Sequence, residues 1–147
     1  MPFPDSSLHA VAAIGGESFA VATGPIDDDA EAYFAIDFLT GELQCTVLNY
    51  RTGKFDALFK ANVIAALDID KSKKPTYLLV TGQVNFRRGG ATARPGHSVV
   101  YVMDGNTGNF AAYGVPWRPD LAASGRPQAG ELMLLDGGKA RTLAIRE

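Results

Sequence analysis

One pattern occurs twice in this chain: residues 34–43 read FAIDFLTGEL, and residues 101–110 read YVMDGNTGNF. In both copies an apolar run ends at an aspartate, and a Thr-Gly pair begins three residues after it. Glycine tolerates the positive φ angle that tight turns demand, so each copy predicts two strands joined by a hairpin. The strands that lead into these hairpins are repeated as well, because FAVATGPI at residues 19–26 recurs as YLLVTGQV at residues 77–84.

The spacing of the two copies predicts how the chain is organised. The offset is 58 residues in the leading strands and 67 residues in the hairpins, which places a nine-residue insertion between Val84 and Val99. We therefore predict a single domain, 1–147, with two internal repeats at about 18–75 and 76–135. A unit of this size usually cannot bury its apolar face alone. Each copy is expected to cover the other copy or a second chain.

The strand patterns predict a mainly β protein of the α+β class, an internally duplicated antiparallel sheet of about 9–10 strands. Besides the two repeated hairpins, we expect a hairpin between Leu8–Ile14 and Ser18–Thr23, about two consecutive glycines. A last hairpin is expected between Leu132–Leu135 and Arg141–Arg146, about Gly137 and Gly138.

One amphipathic helix is expected near residues 54–67. Apolar residues recur there at helical spacing, with alanines and lysines between them. The recurring residues are Phe55, Leu58, Phe59, Val63 and Leu67. The matching stretch of the second copy, Pro116–Gly130, is broken by further prolines and a glycine, so a helix there should be lost or reduced to a turn.

The formal net charge of −2 conceals an uneven distribution, because residues 1–50 carry eight carboxylates and no lysine or arginine. All fourteen basic residues follow in residues 51–147. Opposite charges therefore fall in corresponding loops of the two repeats, and such loops steer partners of opposite sign. The acidic loop holds Asp27, Asp28, Asp29 and Glu31; the basic loop, residues 86–97, holds Arg87, Arg88, Arg94 and His97.

The segments Asp37–Cys45 and Asp104–Ala112 resemble the blade hairpin of quinoprotein-like β-propellers. In that family an aspartate is followed three residues on by Thr-Gly and, four residues later, by a docking tryptophan. This chain has the aspartate and the Thr-Gly pair in both copies, but Cys45 and Ala112 stand where the tryptophan belongs. The whole chain is also similar to small bacterial proteins of uncharacterised function built on the duplicated pattern.

The sequence indicates neither catalysis nor a cofactor. The lone Cys45 lies among apolar neighbours and is interpreted as a buried, inert thiol, and no cysteine and histidine cluster offers a zinc site. Asp37 and Asp104 are expected to cap their turns by accepting backbone N–H bonds, the alternative being acid and base catalysis. The basic residues are too few for a nucleic-acid surface, no apolar run spans a membrane, and no signal peptide is recognised. A cytoplasmic protein is expected.

Besides a hydrolase or isomerase that uses Asp37 or Asp104, two functions are considered. The first is a non-enzymatic structural or interaction protein that forms a homo-oligomer, in which Asp27, Asp28 and Asp29 of one copy meet the basic loop of another. The second is a binding module for a small anionic ligand, held by the arginines and His97 of loop 86–97. Trp117, which lies between two prolines, either closes an open end of the core or serves as an exposed interface anchor.

Overall fold

The computed structural model describes residues 13–86 and 94–141. This part of the chain contains ten strands and two short helices, which confirms a mainly β protein of the α+β class. The elements are β1 (Ala13–Gly15), β2 (Phe19–Pro25), β3 (Glu31–Asp37), β4 (Glu42–Leu48), β5 (Phe55–Asn62), α1 (Ile64–Leu67), β6 (Tyr77–Gln83), β7 (Arg94–Asp104), β8 (Asn109–Trp117), α2 (Pro119–Ala123), β9 (Gln128–Glu131) and β10 (Met133–Lys139).

The strands form two sheets. Sheet 1 has the order β1-β2-β3-β4-β5-β9 and is antiparallel except for the parallel pair β5 and β9. Sheet 2 has the order β10-β8-β7-β6 and is antiparallel throughout. Each sheet therefore contains a four-stranded meander, β2 to β5 in sheet 1 and β6, β7, β8 and β10 in sheet 2.

The two repeated hairpin turns are closed by the same hydrogen bonds. Gly41 N donates to the Asp37 carbonyl and Gly108 N donates to the Asp104 carbonyl, both at 2.8 Å. Both glycines have a positive φ, 75° and 82°, which the Thr-Gly pair predicted. Each aspartate also accepts a backbone N–H two residues on through its carboxylate, which confirms the expected capping role of Asp37 and Asp104.

The strand registers of the two meanders also agree. Ile36 pairs with Leu43 in sheet 1, and their counterparts 67 residues later, Met103 and Phe110, pair in sheet 2. The pair Phe19 and Asp37 has its counterpart in Tyr77 and Asp104. That the two sheets arose by duplication stays a prediction.

Matched positions nevertheless face opposite ways relative to the core. Phe34 and Leu43 are fully buried, whereas their counterparts Tyr101 and Phe110 are each 37% exposed on the outside of sheet 2. Tyr77 is buried, whereas its counterpart Phe19 is exposed. The face of the meander that packs into the core in sheet 1 therefore corresponds to the face that lies outside in sheet 2.

The buried side chains of both sheets form one apolar cluster, which includes Phe34, Phe59 and Tyr77. The sheets come together along β2 and β6, where the Thr81 hydroxyl donates to the Thr23 carbonyl at 2.7 Å. On the opposite side the chain passes from β9 of sheet 1 directly into β10 of sheet 2, and Leu132 N donates to the Lys60 carbonyl at this crossing.

The prediction of an amphipathic helix near residues 54–67 is wrong for most of its length. Residues Phe55–Asn62 form β5, and only Ile64–Leu67 are helical. The burial of Ala57 and Phe59, two residues apart, shows the period of a strand. Strand β5 pairs with β4 on one side and β9 on the other, and these long-range hydrogen bonds outweigh the local helix preference of the alanines and lysines.

The predictions for the last hairpin and for the segment after β8 are also wrong in part. No turn occurs at Gly137 and Gly138, because β10 runs straight through them and pairs with β8; residues 142–146 of the expected partner strand lie outside the described part. Residues Pro119–Ala123 keep one short helix where a turn was expected. The first hairpin is present as the pair β1 and β2, although Leu8 to Ala12 lie outside the described residues.

Candidate functional site

Asp27, the first residue of the acidic loop, is fixed within its own chain. One carboxylate oxygen, Oδ1, accepts the backbone N–H groups of Asp29 and Ala30 at 2.8 and 2.9 Å. The other, Oδ2, accepts the indole N–H of Trp117 at 2.7 Å. The carboxylate therefore closes the turn between β2 and β3 and ties that turn to the end of β8. Asp28 and Asp29 have exposed side chains beside it.

Trp117 closes one end of the core. It is 5% exposed and lies at the last position of β8, opposite Arg94 in the strand register. Its N–H reaches the Asp27 carboxylate, so the polar edge of the indole is satisfied while its ring remains buried. This placement agrees with the core-closing alternative rather than with an exposed anchor.

The acidic loop and both ends of the basic loop meet at one cleft. The cleft has a volume of about 210 Å³, and its wall includes Asp27, Phe86, His97 and Trp117. His97 N donates to the Ile26 carbonyl at 2.9 Å, and the His97 carbonyl accepts Val84 N at 2.8 Å, so its backbone is held from both sides.

Three of the predicted site residues, Asp27, His97 and Trp117, therefore share this cleft. Arg94 begins β7 and pairs through its backbone with Trp117, while Arg87 and Arg88 lie outside the described residues. The sequence predicts opposite charges in corresponding loops; that the loops adjoin within one chain is visible only in the fold. Binding of a small anion by loop 86–97 stays a prediction.

Two further candidate reactive groups, Asp104 and Cys45, have structural surroundings. Asp104 is buried, and its second oxygen accepts the Thr107 hydroxyl at 2.9 Å, so its carboxylate serves the turn. The Cys45 thiol faces the core from β4, and burial raises its pKa well above the usual range. A thiol without access to the thiolate form is a poor nucleophile.

Sequence reasoning missed one apolar surface of the described chain, the outer face of sheet 2. Its outward positions on β6, on residues 99–103 of β7 and on β8 carry no charged residue, and several of their large apolar side chains are exposed to solvent. Asp136 of the edge strand β10 pairs with Ala112 and lies at the border of this surface. This apolar outer face consists of Leu78, Val80, Gly82, Tyr101, Met103, Phe110 and Ala112. Val99 and Gly114 share its register but are buried.

The side chains of this face are packed closely along the sheet. The Tyr101 ring lies over Gly82, where an added Cβ would meet the ring at 3.0 Å, and the Phe110 ring lies over Gly138 of the edge strand. Leu78 and Val80 remain 54% and 52% exposed. The signal in the sequence was that β6 and β7 are apolar on both faces, which is typical of strands covered on both sides.

The outer face of sheet 1 carries both polar and apolar side chains; its exposed apolar residues include Phe19, Tyr33, Leu48 and Leu58. Its outward positions on β4 and β5 include Glu42, Gln44, Thr46 and Lys60, and Lys60 Nζ lies 3.9 Å from a Glu42 carboxylate oxygen. An antiparallel sheet with one solvated face shows this alternation of apolar and polar residues. The two outer faces therefore differ chiefly in charge: charged side chains lie among the apolar ones on sheet 1, whereas the outward positions of β6, of residues 99–103 and of β8 carry none.

Comparison of the chain with protein-family models, with curated proteins and with solved structures finds no match. The resemblance to propeller blade hairpins therefore stays a prediction. Within residues 13–86 and 94–141, no helix is long and apolar enough to cross a membrane. The same residues include no group of three or more histidine, cysteine or carboxylate side chains placed to hold a metal ion.

Proposed function

We propose that this protein is a non-enzymatic interaction protein that forms a homodimer through the apolar outer face of sheet 2. One observation carries the proposal: three adjacent strands present an uncharged apolar surface outside the core. Large exposed patches of this kind mark interaction sites on soluble proteins.

The correspondence between the sheets supports this assignment. The outward residues Leu78, Val80, Tyr101, Met103 and Phe110 of sheet 2 match Ala20, Ala22, Phe34, Ile36 and Leu43 of sheet 1 under the offsets of 58 and 67. All five of those sheet 1 residues are buried in the core. The exposed face of sheet 2 is therefore the counterpart of a face that sheet 1 covers with another sheet, and its apolar character fits a covered surface.

Charge favours a second copy as the partner. The part of this face formed by β6, β7 and β8 meets itself across a two-fold axis without like-charge repulsion, as a self-complementary interface requires, provided that Asp136 of β10 stays at its rim. The outer face of sheet 1 is a poor partner for it, because Glu42 and Lys60 would lose water against apolar side chains. Head-to-tail growth through both outer faces is therefore disfavoured, and a closed dimer is the expected assembly.

The test is the native mass of two matched variants, measured by light scattering coupled to size-exclusion chromatography. Tyr101→Glu places a charge on the apolar outer face, whereas Tyr33→Glu places one on the outer face of sheet 1, where Tyr33 is also exposed. We expect Tyr101→Glu to be a monomer and Tyr33→Glu to keep the wild-type dimer mass. A dimeric Tyr101→Glu with an intact circular dichroism spectrum would contradict the proposed interface.

Pairing between the acidic and basic loops of two copies is a second contact that the sequence predicts. Asp27 is already bound within its own chain, so this contact would rest on the exposed Asp28 and Asp29. Salt separates the two contacts, because about 1 M salt screens exposed charges beyond about 3 Å and strengthens rather than weakens apolar association. A dimer that dissociates in 1 M salt would favour the loops over the sheet face.

A further inference from the structure

One cavity of the described chain lies away from both the charged loops and the apolar outer face. Its volume is about 620 Å³, within the range of small-molecule sites, and it lies between the turn after β3, helix α1 and the segment that leads into β6. Its apolar wall includes Phe38, Ile64, Ile69 and Tyr77. Phe38 and Tyr77 meet edge to face, with ring centroids 5.3 Å apart, which gives the cavity a rigid aromatic wall.

The two repeated turns differ at this cavity. Both are closed by the same backbone bonds, but the first carries Phe38 and Leu39 where the second carries Gly105 and Asn106. The Asn106 side chain stabilises the fold, because it donates a hydrogen bond to the Lys74 carbonyl at 3.0 Å. Leu39 lines the cavity and is 89% exposed. A leucine so exposed contributes little to folding, but it is well placed to contact an apolar ligand.

The rim of the cavity is cationic. Lys71, Lys73 and Lys74 line it, against a single carboxylate, Glu17, which lies 3.9 Å from Lys74. The segment that carries these lysines is shaped by Asp70, which accepts the backbone N–H and the hydroxyl of Ser72 at 3.0 and 2.6 Å. The lysines are thus presented by a defined turn, and Lys71 and Lys73 flank its centre.

We propose that this cavity binds a free aliphatic monocarboxylate of medium chain length. The alkyl chain would pack on the aromatic and aliphatic wall, where each buried methylene adds affinity, and the carboxylate would remain at the rim beside the ammonium groups. A ligand that is apolar at one end and anionic at the other matches both parts of the cavity, whereas inorganic phosphate matches only the rim and an alcohol only the wall.

The first test is calorimetric titration of the full chain with hexanoate, octanoate and decanoate. Burial of a methylene group strengthens binding by up to about fourfold, so affinity should rise steadily along the series. Acetate, inorganic phosphate and 1-octanol should each bind at least tenfold more weakly than octanoate. Equal affinity for acetate and octanoate, or no heat with any carboxylate, would overturn the proposal.

The second test uses variants at exposed positions, which should fold normally. Leu39→Glu and the double variant Lys71→Glu/Lys73→Glu should each weaken octanoate binding at least tenfold. Lys54→Glu and Lys139→Glu change lysines that are also exposed and lie outside the cavity, so these variants should bind octanoate as the wild type does. If the control variants weaken octanoate binding equally, the loss of affinity comes from net charge alone, and the proposed binding site is wrong.

Two other occupants are distinguished by the same measurements. Binding to anionic lipid vesicles without binding of free octanoate would assign the surface to a membrane and overturn the proposal. If a neighbouring copy fills the cavity, octanoate should give no heat with the wild type but should bind a monomeric variant. This result would overturn the proposal, because the cavity would then be occupied by protein in the native assembly. Because the cavity shares no lining residue with the apolar outer face, Tyr101→Glu should bind octanoate normally if both proposals hold.

Discussion

Truncation at a matched pair of positions tests whether the two sheets face opposite ways. Leu43 on β4 and Phe110 on β8 are counterparts under the offset of 67, yet Leu43 is fully buried and Phe110 is 37% exposed. Leu43→Ala leaves a closed cavity in the core, and such substitutions cost about 2–5 kcal/mol of unfolding free energy. Phe110→Ala removes a larger side chain but leaves no closed cavity.

The cost of Phe110→Ala follows from its exposure. Burying a whole phenylalanine side chain is worth about 1.5–3 kcal/mol, and more than a third of this one is already in water. We therefore expect about 1–2 kcal/mol, less than for the smaller Leu43. Leu43→Ala is therefore expected to lower the unfolding free energy more than Phe110→Ala, although phenylalanine is the larger side chain.

Urea unfolding followed by the fluorescence of Trp117, the only tryptophan, provides the assay. Both truncations are made in a Val80→Glu background, which we expect to be monomeric, so that dimer dissociation does not enter the unfolding free energy. A larger cost for Phe110→Ala than for Leu43→Ala would refute the opposite orientation of the two sheets.

Three further predictions concern single side chains. Trp117→Phe and Asp27→Ala should show a coupling of about 0.5–3 kcal/mol in a double-mutant cycle measured by circular dichroism, because each removes one partner of the same hydrogen bond. Additive effects of the two substitutions would contradict this bond. Burial raises the pKa of Tyr113, so the unfolded chain loses this proton first and the unfolding free energy should fall as the pH rises past about 10. Tyr113→Phe should make that fall smaller in urea titrations between pH 9 and 11, and an unchanged slope would refute this origin. Burial also raises the pKa of Cys45, so a thiol reagent should label it only on unfolding, and rapid labelling of the native protein would count against its burial.

The repeated hairpins could be predicted because their determinants are local. Asp37, Thr40 and Gly41 specify a turn through their own backbone angles and side-chain bonds, and Asp104, Thr107 and Gly108 do so again. The same strands follow in both repeats because each turn fixes the register of the strands beside it.

Strand β5 could not be predicted from local pattern. Ala57, Phe59 and Leu58 satisfy both a helical and an alternating arrangement, and the choice is made by partners that lie far apart in the chain. The parallel partner, β9, begins at Gln128, about seventy residues later. The local sequence does not determine hydrogen bonds between residues that lie this far apart in the chain.

The candidate site was only partly visible in the sequence. The acidic and basic loops could be identified from charge, but the bond between Asp27 and Trp117 joins residues 90 positions apart. The apolar outer face was hidden because both faces of β6 and β7 are apolar, so composition alone does not say which side meets the core.

Sedimentation equilibrium of the wild-type protein in 1 M salt tests the central claim most directly. Under these conditions exposed charges are screened, so any remaining association must come from an apolar surface. We predict twice the chain mass of 15.6 kDa, with dissociation only on dilution. A mass of one chain over the whole concentration range would contradict the apolar outer face of sheet 2 as a dimer interface.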